Sequence, residues 1–255
     1  MAQLEGKIFQ YNNKESLAFK NGVESDNTVV LIGGLGDNVL SLPYCTLLNE
    51  FCKNNRLSLI IPQLRSMPKY KTTSVDFDVE DIRDVVAGTN GHVALIGHST
   101  GCNDILLFLN EYRPENVKCV ILQGPVSDTE SISRGKVDAV LETIEKSDGS
   151  QKYVELSDNS IWLKERYISL YSINGKEDLF SSYLSDELFS RWRGTVPILS
   201  ILSGKDEYCE NPPIRKFELM GDVQVIGDGD HSLSSEKCQA EFINIVYQFL
   251  TKVGF

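Results

Sequence analysis

The sequence predicts an α/β fold: a mostly parallel central sheet flanked by helices, with a helical cap insertion, as a single domain over residues 1–255. Two observations carry this. Short β-branched runs alternate with amphipathic helical patterns, the signature of parallel strands joined by helical crossovers. That rhythm stops at about 126–194, where helical, aromatic sequence takes over with Trp162, Tyr167, Tyr171, Phe180, Tyr183, Phe189 and Trp192. A structureless loop of that length does not suit a compact domain, so the segment reads as a cap.

The elements follow in order. Lys7-Ile8-Phe9 and Leu17-Ala18-Phe19 predict an opening antiparallel pair, and residues 28–32 a continuous apolar strand running into Gly33-Gly34-Leu35-Gly36. A helix is expected over 41–53, with Leu42, Cys45, Leu48 and Cys52 on one stripe, then a strand over 57–61 closed by Pro62. Val79, Ile82, Val85 and Val86 mark an amphipathic helix. Its other face, with Asp78, Glu80, Asp81 and Asp84, reads as solvated. The strand 93–96 leads directly into Gly97-His98-Ser99-Thr100-Gly101, and a helix follows that buries Cys102, Ile105, Leu106, Leu109 and Tyr112. Further strands are expected at 118–122, 197–202 and 223–226. A last helix turns Cys238, Phe242, Ile245, Val246 and Phe249 inward.

A formal net charge of -11 argues against nucleic acid or an anionic membrane as partner, since both require basic patches. The longest apolar runs are strand-sized, too short to span a bilayer. Residues 1–14 carry no apolar stretch of signal-peptide type, so a cytoplasmic location is expected. The six cysteines show no C-x-x-C spacing and read as buried free thiols rather than a disulfide framework or zinc site.

Gly97-His98-Ser99-Thr100-Gly101 fits the G-x-S-x-G nucleophile elbow, with an apolar strand before it and an amphipathic helix after it. The elbow forces the serine into an unfavourable backbone conformation on a tight turn, and the flanking glycines relieve the crowding. The turn also places Ser99 at a helix N-terminus, where free N–H groups favour developing negative charge. Of the three histidines, His92 lies at the wrong end of its strand, and His98, beside the nucleophile, reads as a packing residue or a support to the site. His231, in the loop after the last strand, is the candidate base. Asp206 follows the preceding strand and is the candidate acid that holds the His231 tautomer; Glu207, Asp228, Asp230 and Asp128 are its competitors. The resulting order Ser99, Asp206, His231 is the one an α/β-hydrolase imposes. The oxyanion hole is assigned to the Leu35 and Thr100 N–H groups. The glycine cluster at 33–36 lacks both phosphate-loop spacings.

Four pieces carry a resemblance: Leu31-Ile32-Gly33-Gly34-Leu35, Pro62-Gln63-Leu64-Arg65-Ser66, Gly97-His98-Ser99-Thr100-Gly101 and Leu122-Gln123-Gly124-Pro125-Val126-Ser127-Asp128. Together they resemble a mainly fungal α/β-hydrolase family, long filed as a domain of unknown function, that includes hydroxamate-siderophore esterases. The chain departs from the pattern at Gly33, where many α/β-hydrolases place a histidine, and at Met67 after Arg65-Ser66. The resemblance implies the fold, the triad and an esterase-like activity on a small-molecule ester, siderophore esters among them, through an acyl-enzyme on Ser99. No metal or organic cofactor is implied. A thioesterase, acyltransferase or peptidase would use the same triad, and the rival outside catalysis is a binding protein that keeps the fold as a scaffold.

Overall fold

Continuous apolar runs become the buried strands of a central sheet because both of its faces are covered. The computed structural model describes residues 3–14 and 16–255. In chain order the strands are β1 (Lys7–Gln10), β2 (Leu17–Lys20), β3 (Asn27–Ile32), β4 (Ser58–Pro62), β5 (His92–His98), β6 (Val117–Gln123), β7 (Tyr153–Glu155), β8 (Ile161–Leu163), β9 (Ile198–Ser203) and β10 (Asp222–Ile226). The helices are α1 (Cys45–Asn54), α2 (Val75–Ala87), α3 (Thr100–Tyr112), α4 (Asp128–Ser131), α5 (Arg134–Lys146), α6 (Lys164–Tyr171), α7 (Asp186–Ser190), α8 (Ile214–Met220) and α9 (Glu236–Val253). Eight strands form one sheet in the order β1-β2-β4-β3-β5-β6-β9-β10. β1 and β2 enter antiparallel, and β3, β4, β5, β6, β9 and β10 pair parallel.

Alternation along each strand feeds two cores. Val93 and Leu95 of β5 face Val79, Ile82, Ile105 and Phe108 of α2 and α3. Ala94 and Ile96 face the other way, toward Leu48 and Cys52 of α1 and Phe242 and Val246 of α9. All six cysteines are free; five are buried and Cys209 is half-buried.

Helix α1 starts at Cys45, later than the expected residue 41. Asn38 and Ser41 explain the delay. The Ser41 hydroxyl accepts the Asn38 N–H at 2.8 Å and the Asn38 side chain accepts the Leu40 N–H at 2.8 Å, which holds the backbone in turns. Helix α8, seven residues long after Pro212-Pro213, is too short for its periodicity to stand out.

The acidic face of α2 is not a solvated face. Asp78 and Asp81 are buried. Asp81 receives Arg65 twice, from the backbone N–H at 2.8 Å and from Nε at 2.7 Å. Asp78 faces Arg166 of α6, with Nη1 to Oδ2 at 4.0 Å. Both arginines come from other segments, so helical periodicity alone could not reveal them.

The segment between β6 and β9 holds α4 to α7 and a β7–β8 hairpin. It has its own core of Val137, Ile144, Val154, Trp162, Tyr167 and Leu170, against which Leu35 and Tyr70 pack. Its last part behaves differently. Phe180, Leu184, Phe189 and Trp192 join the body, and Phe180 and Phe189 lie 5.7 and 5.9 Å from the ring of Phe217 in α8. Arg166 anchors this segment from within. It is fully buried, with Glu177 Oε1 at 3.1 Å from Nη1. Burial pushes the carboxyls around it upward, Asp78 to about 7, Asp128 to about 7, and Asp104 well above the usual range. One guanidinium does not balance so many ionised carboxylates out of water, so protons share the work.

Candidate active site

The site lies at the carboxyl ends of the parallel strands, where open α/β sheets collect their ligands. Ser99 joins β5 to α3 with φ 53° and ψ -126°, a conformation that a residue with a side chain adopts only when its surroundings impose it. Two bonds impose it here: the Ser99 N–H donates to Gln123 O at 3.0 Å, and the Cys102 N–H to Ser99 O at 2.9 Å. The elbow also needs close backbone approach. A β-carbon at Gly101 would lie 2.6 Å from Gly33 O and Ile32 O, and one at Gly34 would lie 2.8 Å from Ser99 Cβ. The loop after β3 is thereby pressed against the nucleophile.

That loop carries Leu35, and α3 begins at Thr100. Neither N–H is engaged in a backbone hydrogen bond among the described residues, and the first-turn N–H groups of a helix have no intrahelical acceptor. The loop is fastened by Asp37, whose carboxylate accepts the Gly34 N–H at 2.8 Å while its own N–H donates to Gly34 O at 3.1 Å.

His231 and Asp206 meet as expected, with Nδ1 to Oδ2 at 2.9 Å, both buried. The other Asp206 oxygen accepts the Tyr208 N–H at 3.0 Å, so the carboxylate is fixed at both ends. The loops after β9 and β10 are laced together, Gly204 N–H to Ile226 O at 2.9 Å and Lys205 N–H to Gly229 O at 2.8 Å. The competing acids have other partners. Glu207 accepts the His231 N–H at 2.9 Å, Asp228 pairs with Lys205 and Lys237, and Asp230 accepts the Ser234 N–H. Asp128 Oδ2 is buried without a hydrogen-bond partner. The His231 ring lies between Tyr208, centroids 4.7 Å apart, and His98, centroids 4.9 Å apart. Its Nε2 makes no hydrogen bond among the described residues, to Ser99 or otherwise; such contacts commonly tighten only when substrate binds.

Sequence reasoning missed Gln123, Asp37 and Tyr208. The signal for Gln123 was present: a polar residue at the end of an otherwise apolar buried strand. Tyr208 gave none, because only the fold brings its ring to His231. Among the described residues no group of three or more His, Cys, Asp or Glu side chains is arranged to hold a metal ion, and no helix is long and apolar enough to cross a membrane.

Strand order, elbow and loop placement define the α/β-hydrolase fold. Residues 1–237 match the model of the family described as "Protein of unknown function (DUF1749)", and the chain belongs to that family. It is similar to the UPF0613 protein PB24D3.06c of Schizosaccharomyces pombe, 26% identical over 265 residues, covering 83% of this chain and 78% of that protein. Among solved structures it resembles the siderophore hydrolase EstB from Aspergillus fumigatus, with TM-score 0.78, 20% identity and 98% of each chain covered. It also resembles the Pyrococcus furiosus esterase PF2001, with TM-score 0.65, 16% identity and 98% and 91% of the two chains covered.

Proposed function

We propose that this chain is a serine esterase that cleaves a small-molecule ester through an acyl-enzyme on Ser99. The observation that carries the reading is the buried His231–Asp206 pair, Nδ1 to Oδ2 at 2.9 Å, standing over the same strand ends as a serine held in the strained elbow conformation. Fixing Nδ1 as the donor to Asp206 leaves Nε2 as the base. His231 Nε2 takes the Ser99 hydroxyl proton as Oγ adds to the ester carbonyl carbon. The Leu35 and Thr100 N–H groups hold the oxyanion, and each such donor is worth about 2.7–4 kcal/mol in the transition state. The imidazolium then protonates the departing alcohol as the C–O bond breaks. Water, deprotonated by the same nitrogen, releases the acid and restores Ser99.

The chain acts as one catalytic unit over 1–255, in the cytoplasm, with the insertion at 126–194 closing over the substrate. Leu35 supports that arrangement, since it belongs to the oxyanion loop and also packs against the cap core. Hydroxamate-siderophore esters are the first natural compounds to try, because the similar EstB is a siderophore hydrolase.

The test is intact mass after exposure to a fluorophosphonate, with Ser99→Ala as control, followed by hydrolysis of activated esters. One adduct on the wild type, absent from the variant, supports the reading. A folded wild type that gains no adduct and hydrolyses no ester rejects it.

A further inference from the structure

The acyl-transfer mechanism leaves His98 and Gln123 unused, yet both are buried beside it. Gln123 fills the end of β6 and has no solvent contact. Its amide nitrogen donates to His231 O at 3.0 Å, which turns its oxygen toward two donors, the Tyr44 hydroxyl at 3.1 Å and His98 Nδ1 at 2.6 Å. The amide orientation therefore fixes the His98 tautomer: Nδ1 carries the proton and Nε2 does not. Burial, with the neighbouring His231, pushes His98 down to about 4, so this ring is neutral at physiological pH. Its Nε2, an acceptor in this tautomer, lies 3.9 Å from Asp37 Oδ2, also an acceptor, so the two share no hydrogen bond; that oxygen accepts the Gly34 N–H instead.

These contacts form one path. It runs from Gly34 of the oxyanion loop, where a β-carbon would lie 3.4 Å from His98 Cδ2, through the His98 ring and Gln123 to the backbone of the histidine loop, and it passes Ser99, whose N–H is bonded to Gln123 O. We propose that His98 and Gln123 are positioning residues for the acyl-transfer reaction, a buried bridge that keeps the oxyanion loop and the His231 loop in register across the nucleophile. The proposal rests on the serine esterase reading for its kinetic consequences but not for its geometry. His98 itself takes no proton from Ser99, because its unprotonated nitrogen points at Asp37. Its contribution is steric and directional. The ring lies 4.9 Å from the His231 ring and limits how far that imidazole swings, and the bridge ties the swing to the height of the Leu35 N–H. Errors of about 1 Å in such placement cost about 10²-fold in rate.

The experiment compares His98→Leu, which removes the bridge, with His98→Asn, whose amide nitrogen can still donate to Gln123. Asp37→Ala, at a part-exposed position, releases the Gly34 N–H and loosens the far end without the risk of a collapsed core. Three readouts are taken: kcat and KM on an activated ester, the rate of Ser99 phosphonylation, and the low-field proton resonance of His231 Nδ1. That resonance is assignable because the chain has three histidines. The bridge predicts that His98→Leu loses about 10- to 100-fold in kcat with KM little changed, and moves the His231 resonance. His98→Asn should recover most of both, and Asp37→Ala should slow phosphonylation. A folded His98→Leu with wild-type kcat and an unmoved resonance overturns the proposal, as does a fall in melting temperature alone. If the wild type hydrolyses no ester, the esterase reading fails by itself, and the His231 resonance still decides for or against the bridge.

Discussion

Asp206 shows how narrowly one side chain is specified. One oxygen meets His231 and the other meets the Tyr208 N–H, so an isosteric amide would have to present a donor where an acceptor is required. Asp206→Asn should therefore fold normally and lose about 10³- to 10⁴-fold in kcat on an activated ester, through the wrong His231 tautomer. Unchanged kcat would point to Asp128 as the working acid. At this scale the sequence was legible wherever chemistry is local. Ser99 announces itself through glycines two residues away on each side, and Asp206 and His231 through the strands they follow. Gln123 was passed over because its partners are distant in the chain, Tyr44 by 79 residues and His231 by 108.

The elements divide in the same manner. Strands buried on both faces, such as β3 and β5, were readable as uninterrupted apolar runs. The acidic face of α2 departs from its solvated expectation because its partners, Arg65 and Arg166, arrive from a loop and from α6. Helical periodicity reports what a helix does with water, and it does not report a buried ion pair. Arg166 makes this consequential. Among the described residues it is the buried cation that faces the carboxylates Asp78, Asp104 and Glu177, with Asp128 beside them. Arg166→Met should cost about 3–5 kcal/mol in urea unfolding, because it strands those acids without a partner. An effect below about 1 kcal/mol would mean that the acids are already neutral and the arginine a passenger.

Over the whole molecule these buried acids set a pH dependence. Asp78 and Asp128, at about 7 in the folded protein, lie well above the unfolded carboxyl range near 4. The folded state therefore holds protons that the unfolded chain releases between about pH 4 and 7. Their stabilising contribution is complete below the unfolded value and is lost as pH rises through the folded one. The melting temperature should fall from pH 5 to pH 8, less steeply below about pH 6.5, where His98, held down at about 4, works the other way, and Asp78→Asn should flatten that slope. A profile that rises over this interval in the wild type would contradict the assignment. The chain leaves the sheet at the end of β6 and returns as β9, and these two strands are direct neighbours, Val120 opposite Ile198. The excursion thus begins and ends on one seam and interrupts no pairing of the frame. Its first part, through the hairpin and α6, keeps a core of its own, whereas the part from Phe180 onward is rooted in the body. The fold is modular at that seam: the excursion could be lengthened or shortened there without disturbing the strand ends that hold the serine and histidine.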